Sequence, residues 1–523
     1  MSDYLLGLDA GLTRTKAVIF TPDGEVVAQS GRDTPEDRPD PDRREVDPEA
    51  LFEASAATIR ETLADGDVAA EDVAALGVSA HGHGLYTLDA DGDPARPGIK
   101  STDSRATDLL EEWESNGTAD RIRERLGYAP FAGDPISLLA WLERHEPDAY
   151  DRIDRVLFCK DYIKYRLTDR VRTDEMEASV FENPRTNEYD REALESAGIG
   201  SCLDALPAVT RSFESCGTVT AAAAEATGLA EGTPVASGLH DVGATALGTG
   251  AYGAGQGVLI VGTWGQSIVV LDGETEGGSA PDAPDDPDAA GGTDGPAPGL
   301  TRRYLDGKRL RYKGNRSAAA CLDWFVEEVG RDWHDRADEE GVSRYAVYDQ
   351  VVESVPPGAD GVLFHPYLDG STDAPTDRGG FYGLTTDHTK ADMLRAVYEG
   401  VAISQAARLA ELEPADGLDD VRLAGGGARS EVWSDVFAAA LDREAIVPAG
   451  GEAGARGAAI CAGIAAGIHP DHRTATERMV RIDRTHEPDP EAAAVYRDRR
   501  DTFESALEAI RPIWKRLSDG DRA

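Results

Sequence analysis

Residues 4–20 read YLLGLDAGLTRTKAVIF, two apolar runs separated by a short turn of small and polar residues. The runs Tyr4–Asp9 and Thr15–Phe20 predict two β-strands. A third strand is predicted at Glu25–Ser30, because the intervening Thr21-Pro22-Asp23-Gly24 has the proline and glycine of a tight turn. The chain is therefore predicted to begin with a β-meander.

Strand and helix signals alternate along the rest of the chain, as they do in α/β domains. Further strands are predicted at Val73–Ser79, Val235–Gly238, Gly257–Leu271 and Val421–Ala424. Because 523 residues are too many for a single core, we expect two α/β domains, 1–248 and 249–523. Residues 272–299 have almost no apolar core formers and predict a disordered acidic surface loop in the second domain.

Composition excludes several classes of protein. No run of about 18 apolar residues occurs, and the N-terminus lacks the basic and apolar regions of a secretory signal. The five cysteines are scattered, without a CxxC pair, which argues against a disulfide framework or a zinc site. We therefore expect a cytoplasmic protein with no membrane partner.

Charge is the unusual quantity: 53 basic against 97 acidic residues give a formal net charge of −44, and only eight of the basic residues are lysine. Such an acidic, lysine-poor composition resembles that of halophilic proteins, in which concentrated salt screens the self-repulsion. An ordinary acidic cytosolic protein is the alternative. Nucleic acid is not expected as a partner, because phosphate binding needs basic surfaces.

Three turns that contain glycine follow predicted strands, and each offers backbone N–H groups to an anion. Asp9 begins the first, Asp241 lies in the second (GLHDVGAT, 238–245), and Gly425-Gly426-Gly427 forms the third. A carboxylate beside such a turn suits a hydrated cation and its phosphate. A plain hairpin, a helix N-cap and an ordinary loop are the respective alternatives. The third turn is not GxGxxG, and no GxxxxGK[ST] P-loop occurs.

In this order the three turns resemble the FGGY family of carbohydrate kinases. The motifs are an N-terminal DxGxT (9–13), an Asp after a mid-chain Gly (238–241) and a C-terminal GGG-x-x-S-x-x-W (425–433). The segments AHGHGLY (80–86) and STDSRA (101–106) resemble the L-xylulose kinase-like, or pentulose kinase, branch. The resemblance implies two ribonuclease-H-like domains of the actin and hexokinase type, with a catalytic cleft between them.

The resemblance also implies roles for individual residues. Asp241 takes the place of the base that accepts the proton of the attacking sugar hydroxyl, and Asp9 that of the acid that orients Mg²⁺. The positions implied on the ATP side are Asp9, Gly11, Thr13, Arg14, Gly262, Thr263, Ala319, Asp323, Gly425, Gly426 and Ser430. Those implied on the sugar side are His81, Gly82, Asp103, His240 and Asp241.

Some of these residues allow a simpler interpretation. His81 is alternatively a core histidine, and Asp103 an ion-pair partner of Arg105. Two residues depart from the family pattern: Leu12 replaces a hydroxyl-bearing position in the first turn, and Trp264 replaces a small residue, which would narrow the mouth of the site.

We therefore expect an ATP-dependent, Mg²⁺-dependent kinase that phosphorylates a ketopentose of the L-xylulose or D-xylulose type. Erythritol and glycerol kinases are alternatives within the family, and a nucleotide-switched binding protein of the actin or chaperone type is the alternative of another class. ATP turnover independent of any sugar would indicate the latter. The expected partner is a small sugar or polyol, and the sequence leaves a homodimer open.

Overall fold

The computed structural model describes residues 4–273, 299–372, 374 and 376–520. The loop predicted at 272–299 therefore lies outside the described residues except at its two ends. No helix in the described part of the chain is both long and apolar enough to cross a membrane.

The strands, in chain order, are β1 (Tyr4–Ala10), β2 (Arg14–Phe20), β3 (Val26–Asp33), β4 (Glu45–Val46), β5 (Val73–Ala80), β6 (Tyr86–Leu88), β7 (Gly98–Ile99), β8 (Arg155–Leu157), β9 (Arg172–Asp174), β10 (Glu182–Asn183), β11 (Glu188–Tyr189), β12 (Ala208–Thr210), β13 (Ser215–Thr218), β14 (Pro234–His240), β15 (Gln256–Val261), β16 (Gly265–Leu271), β17 (Leu300–Arg303), β18 (Arg309–Asn315), β19 (Leu363–His365), β20 (Gly380–Tyr382), β21 (Asp420–Ala424), β22 (Ala445–Pro448) and β23 (Ile482–His486).

The α-helices are α1 (Pro48–Asp65), α2 (Thr107–Asn116), α3 (Thr118–Leu126), α4 (Pro135–His145), α5 (Pro147–Tyr150), α6 (Cys159–Thr168), α7 (Glu175–Ala178), α8 (Arg191–Ser196), α9 (Ala221–Thr227), α10 (Asp241–Gly248), α11 (Ala319–Glu328), α12 (Arg331–Glu340), α13 (Arg344–Glu353), α14 (Lys390–Leu412), α15 (Glu431–Leu441), α16 (Ala453–Ala465), α17 (His472–Met479) and α18 (Pro490–Gly520).

Two large sheets repeat one topology. The first has the order β13-β14-β5-β1-β2-β3 and the second the order β17-β18-β16-β15-β21-β22-β23. In the first sheet, β1, β2 and β3 are antiparallel neighbours, and β5 and β14 continue parallel to β1. In the second sheet, β15, β16 and β18 form the equivalent antiparallel set, and β21 and β22 continue parallel to β15. The predicted β-meander and the α/β class are confirmed.

This duplication places the predicted turns at equivalent positions. The turn between β1 and β2 corresponds to the turn between β15 and β16, and the loop after β5 corresponds to the loop after β21. The carboxyl ends of parallel strands meet at one edge of a sheet, where ligands of α/β proteins bind. The fold therefore gathers His81 and Asp241 at one such edge, and Gly262 and Gly425 at the other.

Helix α16 joins the two halves. It follows β22 of the second sheet, yet it packs against β1, β5 and β14 of the first sheet and against α10. The contact needs glycine, because a Cβ at Gly7 or Gly77 would lie 1.9 Å from the carbonyl oxygens of Ala455 and Ala458. One buried cluster thus combines side chains of both halves. The predicted division after residue 248 falls at the last residue of α10 and stays a prediction.

Candidate active site

A cavity of about 360 Å³ is lined by residues of both halves. The first half contributes His81, Gly82, His240 and Asp241 among others, and the second half contributes Trp264, Gln266, Tyr312 and Lys313 among others. A larger concavity of about 540 Å³ runs along α1 and contains none of the predicted site residues. The 360 Å³ cavity is therefore the candidate active site.

Asp241 is the first residue of α10, and a bulge in β14 places it there. Gly238 has φ +73°, and a Cβ on it would lie 2.0 Å from the carbonyl oxygen of Val78, so the bulge requires glycine. The Val242 backbone N–H donates to Asp241 Oδ1 at 2.8 Å, and His240 Nδ1 lies 3.3 Å from the same oxygen. The Asp241 side chain is 38% exposed. Its carboxylate is thus oriented by the helix end and remains accessible from the cavity.

Asp9 lies at the end of β1, paired in register with Lys16 of β2 and Ser79 of β5. Its Oδ1 is buried and has no hydrogen-bond partner among the described residues. Burial and the neighbouring charge of Asp241 raise the pKa of Asp9 to about 6. A Cβ at Gly454, in the first turn of α16, would lie 2.4 Å from Asp9 Oδ2. Asp9 thus lies against the start of α16 with an unpartnered oxygen and within electrostatic reach of Asp241 at the start of α10, an arrangement that a cation would stabilise.

The turn between β1 and β2 is closed by the Gly11 N–H, which donates to the Arg14 carbonyl at 3.0 Å. Thr13 and Arg14 are exposed. Arg14 Nη2 donates to the Gly31 carbonyl of β3 at 3.1 Å. The turn predicted to face the phosphates therefore presents its side chains to solvent beside Asp9.

The equivalent turn of the second half carries Gly262 and Thr263. Their carbonyls accept from the Ala319 and Ala318 N–H groups at 2.8 and 3.0 Å, which holds the start of α11 against the turn. Gly425 has φ +89°, and a Cβ on it would lie 2.7 Å from the Val261 carbonyl oxygen. The structure thus brings Gly262, Thr263, Ala319 and Gly425 together.

Gly426 and Asp323 are both exposed residues of this second half. A Cβ at Gly426 would meet nothing within 4 Å among the described residues, so a ligand has room to approach the backbone there. Asp323 lies on α11 and accepts from Tyr345 Oη at 3.5 Å.

The side chains of Asp103 and Ser430, two predicted contact residues, form hydrogen bonds within the protein. Both oxygens of Asp103 accept from the Arg105 guanidinium at 2.8 Å, and they also accept from the Arg105 and Arg44 N–H groups at 3.0 and 2.7 Å. Ser430 caps α15 by accepting from the Trp433 N–H at 2.9 Å and donates to Asp349 Oδ1 at 2.8 Å. Asp103 does not line the cavity. In this structure both side chains hold neighbouring segments, Asp103 through its ion pair with Arg105, and the expected ligand roles of both stay predictions.

His81 and His240, the histidines predicted to lie on the sugar side, each have one ring nitrogen without a hydrogen-bond partner among the described residues. His81 Nε2 lies 3.3 Å from Tyr86 Oη, while His81 Nδ1 and His240 Nε2 are buried without a hydrogen-bond partner among the described residues. Burial, reinforced by Lys100 and opposed by Asp241, lowers the pKa of His81 to about 4. His81 is therefore neutral near pH 7 and offers one donor or acceptor to a hydroxyl. Gly82 packs closely on the His240 ring, because a Cβ added to Gly82 would lie only 3.1 Å from His240 Cγ.

Sequence reasoning left several lining residues out of the predicted site, chiefly His83, Tyr128, Gln266, Tyr312, Lys313 and Arg316. His83 has a signal of its own: it is a non-glycine residue with φ +59°, between two glycines. Its Nε2 lies 3.3 Å from Tyr312 Oη. Tyr312 and Lys313 lie on β18 without any local motif. Trp264, identified as a departure from the family pattern, is 40% exposed and does line the cavity.

The chain matches one known protein family over most of its length. Residues 4–248 match the N-terminal domain of the FGGY family of carbohydrate kinases, and residues 286–466 match its C-terminal domain. The chain is 30% identical over 523 residues to the L-xylulose/3-keto-L-gulonate kinase of Escherichia coli K12, with 99% of each chain covered. It is also 30% identical to the xylulose kinase of the same organism, over 97% of this chain and 99% of that one.

Among solved structures, a xylulose kinase from Lactobacillus acidophilus with bound ligand superposes with a TM-score of 0.86, at 22% identity. The superposition covers 98% of this chain and 100% of that one. At this identity the likeness shows the fold alone. The predicted two-domain class is therefore confirmed.

Proposed function

Because the chain belongs to the FGGY family of carbohydrate kinases, we propose that this sugar kinase transfers the γ-phosphoryl group of ATP to a hydroxyl of a ketopentose of the L-xylulose or D-xylulose type. The names of its relatives, an L-xylulose/3-keto-L-gulonate kinase and a xylulose kinase, support this substrate class. The single observation that carries the proposal is an accessible carboxylate, Asp241, in a cavity whose lining includes the hydrogen-bonding side chains of His81, His240, Gln266 and Tyr312.

The proposed reaction uses few groups. The sugar hydroxyl oxygen forms a bond to the γ-phosphorus, the bond from that phosphorus to the β–γ bridging oxygen breaks, ADP leaves, and the hydroxyl proton passes to Asp241. General base catalysis of this kind contributes about 10²–10⁴-fold. The remaining requirement is positioning and charge neutralisation. The exposed turns at Thr13 and Thr263 supply backbone and hydroxyl donors for the phosphates.

Mg²⁺ fits the residues present. Asp9 Oδ1 is buried and unpartnered in the described structure, and the Asp241 charge lies nearby. No group of three metal-ligating side chains occurs among the described residues, which suits an ion that keeps several waters and takes only one or two carboxylates. When bound, Mg²⁺ would neutralise phosphate charge. Asp9 would orient it, and Lys16 holds Glu452 at 2.8 Å beside the site.

The experiment that tests the function is an ADP-release assay with L-xylulose, D-xylulose, erythritol and glycerol, and with no sugar. We expect the pentuloses to exceed glycerol in kcat/KM by at least about 10²-fold, because a site built to bond several hydroxyls leaves buried partners unpaired when they are missing. If glycerol proves the better substrate, the glycerol kinase alternative replaces this proposal. ATP turnover that does not depend on any sugar would instead indicate a nucleotide-switched binding protein.

The acidic surface is the basis of a second, independent proposal, that the protein works in concentrated salt in the cytoplasm. All five cysteines are free and buried, as a reducing compartment allows. With a net charge of −44, the fold should weaken as screening is withdrawn below roughly 0.5 M KCl. Thermal melts in low KCl and in about 2 M KCl test this, and equal melting temperatures would leave only an ordinary acidic protein.

A further inference from the structure

We propose that Arg316 binds the phosphoryl group while it passes from ATP to the sugar, and that it is therefore a further catalytic residue of this site. The inference rests on the proposed sugar kinase function, and it concerns a residue that neither the sequence motifs nor the proposed chemistry uses. Arg316 lies in the short segment between β18 and α11, and it lines the same cavity as Asp241.

The phosphoryl group in transfer belongs where the two turns proposed to bind the phosphates approach the proposed base. Leu12 lies in the turn between β1 and β2, and Trp264 lies in the turn between β15 and β16. Both residues line the cavity together with Asp241. In an in-line transfer the γ-phosphorus lies between the attacking hydroxyl and the leaving oxygen of ADP, so negative charge has to be neutralised at this end of the cavity.

The strand register places Arg316 beside the second of these turns. Strands β16 and β18 are antiparallel, and Gly265 pairs with Asn315 where they end. The next step of this register sets Arg316 opposite Trp264. Directly opposed residues of antiparallel strands have their side chains on one face, with Cβ atoms about 4.5–5.5 Å apart. Arg316 therefore lies next to the turn that carries Thr263, on the side of the cavity.

The backbone that follows Arg316 is fixed to the same turn. The Ala318 N–H donates to the Thr263 carbonyl at 3.0 Å, and the Ala319 N–H donates to the Gly262 carbonyl at 2.8 Å. The Arg316 side chain itself is exposed. Its position relative to the turn is thus set by the fold, while the guanidinium can still move onto a ligand.

Lys313 and Arg316 are the two cationic side chains described as lining the cavity, and they differ in their partners. Lys313 Nζ donates to Glu411 Oε2 at 2.6 Å. The Arg316 side chain forms no hydrogen bond or ion pair with any residue that the structure describes. In a chain with 97 acidic residues, an arginine without a carboxylate partner inside the proposed active site favours an anionic ligand.

The guanidinium of an arginine suits a phosphoryl group in transfer. It presents planar pairs of N–H donors that match phosphate oxygens. In the proposed step the sugar oxygen bonds to the γ-phosphorus, the bond to the β–γ bridging oxygen breaks, and the hydroxyl proton passes to Asp241. Arg316 exchanges no proton in this step. It donates hydrogen bonds to the oxygens of the phosphoryl group and so offsets the repulsion between that group and the Asp241 carboxylate.

The first test compares Arg316→Met with the wild type in the ADP-release assay with L- and D-xylulose at one fixed KCl concentration. We expect kcat to fall about 10²–10³-fold and the KM of the sugar to change less than about threefold, because the lost contact is to the phosphoryl group. Arg316→Lys keeps the charge without the planar fork and should recover part of the loss. The matched control is Arg331→Met on α12, where the side chain is 73% exposed, and it should retain full turnover.

Nucleotide binding without turnover gives a second measurement. Calorimetric titrations use ADP and a non-hydrolysable ATP analogue that retains the γ-phosphate. Arg316→Met should weaken binding of the analogue about tenfold and binding of ADP less than about twofold, because only the analogue carries the group that Arg316 contacts.

The inference is overturned if Arg316→Met keeps more than about half of the wild-type kcat, or if it raises the KM of the sugar and leaves kcat unchanged. Equal losses of affinity for ADP and for the analogue would overturn it as well. The proposed function fails in a different way, if the wild type phosphorylates no sugar. In that case a loss of affinity confined to the analogue still supports the contact between Arg316 and the γ-phosphate, and equal binding by wild type and variant refutes it.

Discussion

Two buried polar regions of the first half differ in how their charges are compensated. In one, which we name the lysine cluster, Lys160 binds Asp161 and Asp174, and Lys164 binds Asp161 at 3.0 Å, all four side chains being fully buried. In the other, the cavity wall, His81 Nδ1 and His240 Nε2 have no partner in the described structure. Burial by itself would lower the pKa of Lys160, but the charges of Asp161 and Asp174 outweigh it and raise that pKa. In the wall, burial outweighs the charge of Asp241 and lowers the pKa of His81 to about 4.

The lysine cluster and the cavity wall therefore differ in what they do: the cluster stabilises the strand that carries Asp241, and the wall lines the cavity. Lys164 Nζ donates to the Ser237 carbonyl at 3.0 Å, so the lysine cluster holds the β14 bulge that directs Asp241 into the cavity. Its lysines and aspartates are paired with one another, although Asp161 Oδ2 has no hydrogen-bond partner among the described residues. The wall has ring nitrogens without a partner among the described residues, and in the proposed function these are available to the sugar. Variants that remove one member of each region test this division.

The largest effect is expected at Asp241. Asp241→Asn keeps the shape and removes the proton acceptor, so kcat should fall about 10²–10⁴-fold while the KM of the sugar changes little. Steady-state ADP release measures it. The matched control is Glu431→Gln, another acid in the first turn of a helix, 74% exposed on its side chain and outside the cavity. Retention of more than about half of the wild-type turnover in Asp241→Asn would refute its assignment as the base.

The next effect is expected in the lysine cluster, and on stability rather than turnover. Lys160→Met leaves the buried carboxylate of Asp174 without its cation and leaves Asp161 with Lys164 alone, so the free energy of unfolding should fall by about 3–5 kcal/mol. Denaturant unfolding at constant salt measures it. Lys390→Met is the control, because Lys390 pairs with Asp332 at the surface and should contribute no more than about 1 kcal/mol. Equal effects of the two substitutions would contradict the supporting role of the cluster.

The smallest effect is expected for His81 of the cavity wall, on the stability of the protein in acid. The folded pKa of His81 is about 4 against 6.5 for a free histidine, so the unfolded chain binds the proton more readily. The stability due to neutral His81 is fully present above pH 6.5 and is lost as the pH falls toward 4, by about 3 kcal/mol. His81 faces Asp241 and Lys100, so Asp241 opposes this loss and Lys100 adds to it.

His81→Gln has no such proton to bind and should lose less stability than the wild type between pH 6.5 and pH 4. Unfolding midpoints across this range, without substrate, measure the difference. His388→Gln, at a partly exposed histidine outside the cavity, is the control. Parallel pH profiles for wild type and His81→Gln would show that the ring at position 81 is not kept neutral by burial.

Much of the fold could be predicted because its signals are local. The apolar runs of 4–20 give β1 and β2 nearly to the residue. Asp47 before Pro48 predicts a helix start, and α1 begins at Pro48 with Asp47 accepting from the Glu49 N–H at 3.0 Å. Asp9 and Asp241 were identifiable for the same reason, since each stands beside glycines at the end of a strand.

Other roles depend on contacts that no local pattern records. Ser430 fits the family motif, yet its hydroxyl is engaged by Asp349, which lies 81 residues earlier. Asp103 and Arg105 are neighbours in sequence, but only the fold closes all four hydrogen bonds around that carboxylate. The packing of α16 on the first sheet depends on Gly7 and Gly77, which lie more than 370 residues before the helix that they admit.

The sequence by itself determined the α/β alternation and the places of Asp9 and Asp241 beside glycines, because strand periodicity and glycine turns are properties of adjacent residues, and its motifs carried the resemblance to the family. Only the tertiary structure decided which buried polar atoms have a hydrogen-bond partner among the described residues. Tyr128 and Tyr312 come from distant segments, and whether a buried polar atom is paired depends on every segment packed around it. That pairing cannot be read from adjacent residues, because only the folded chain brings the partners together.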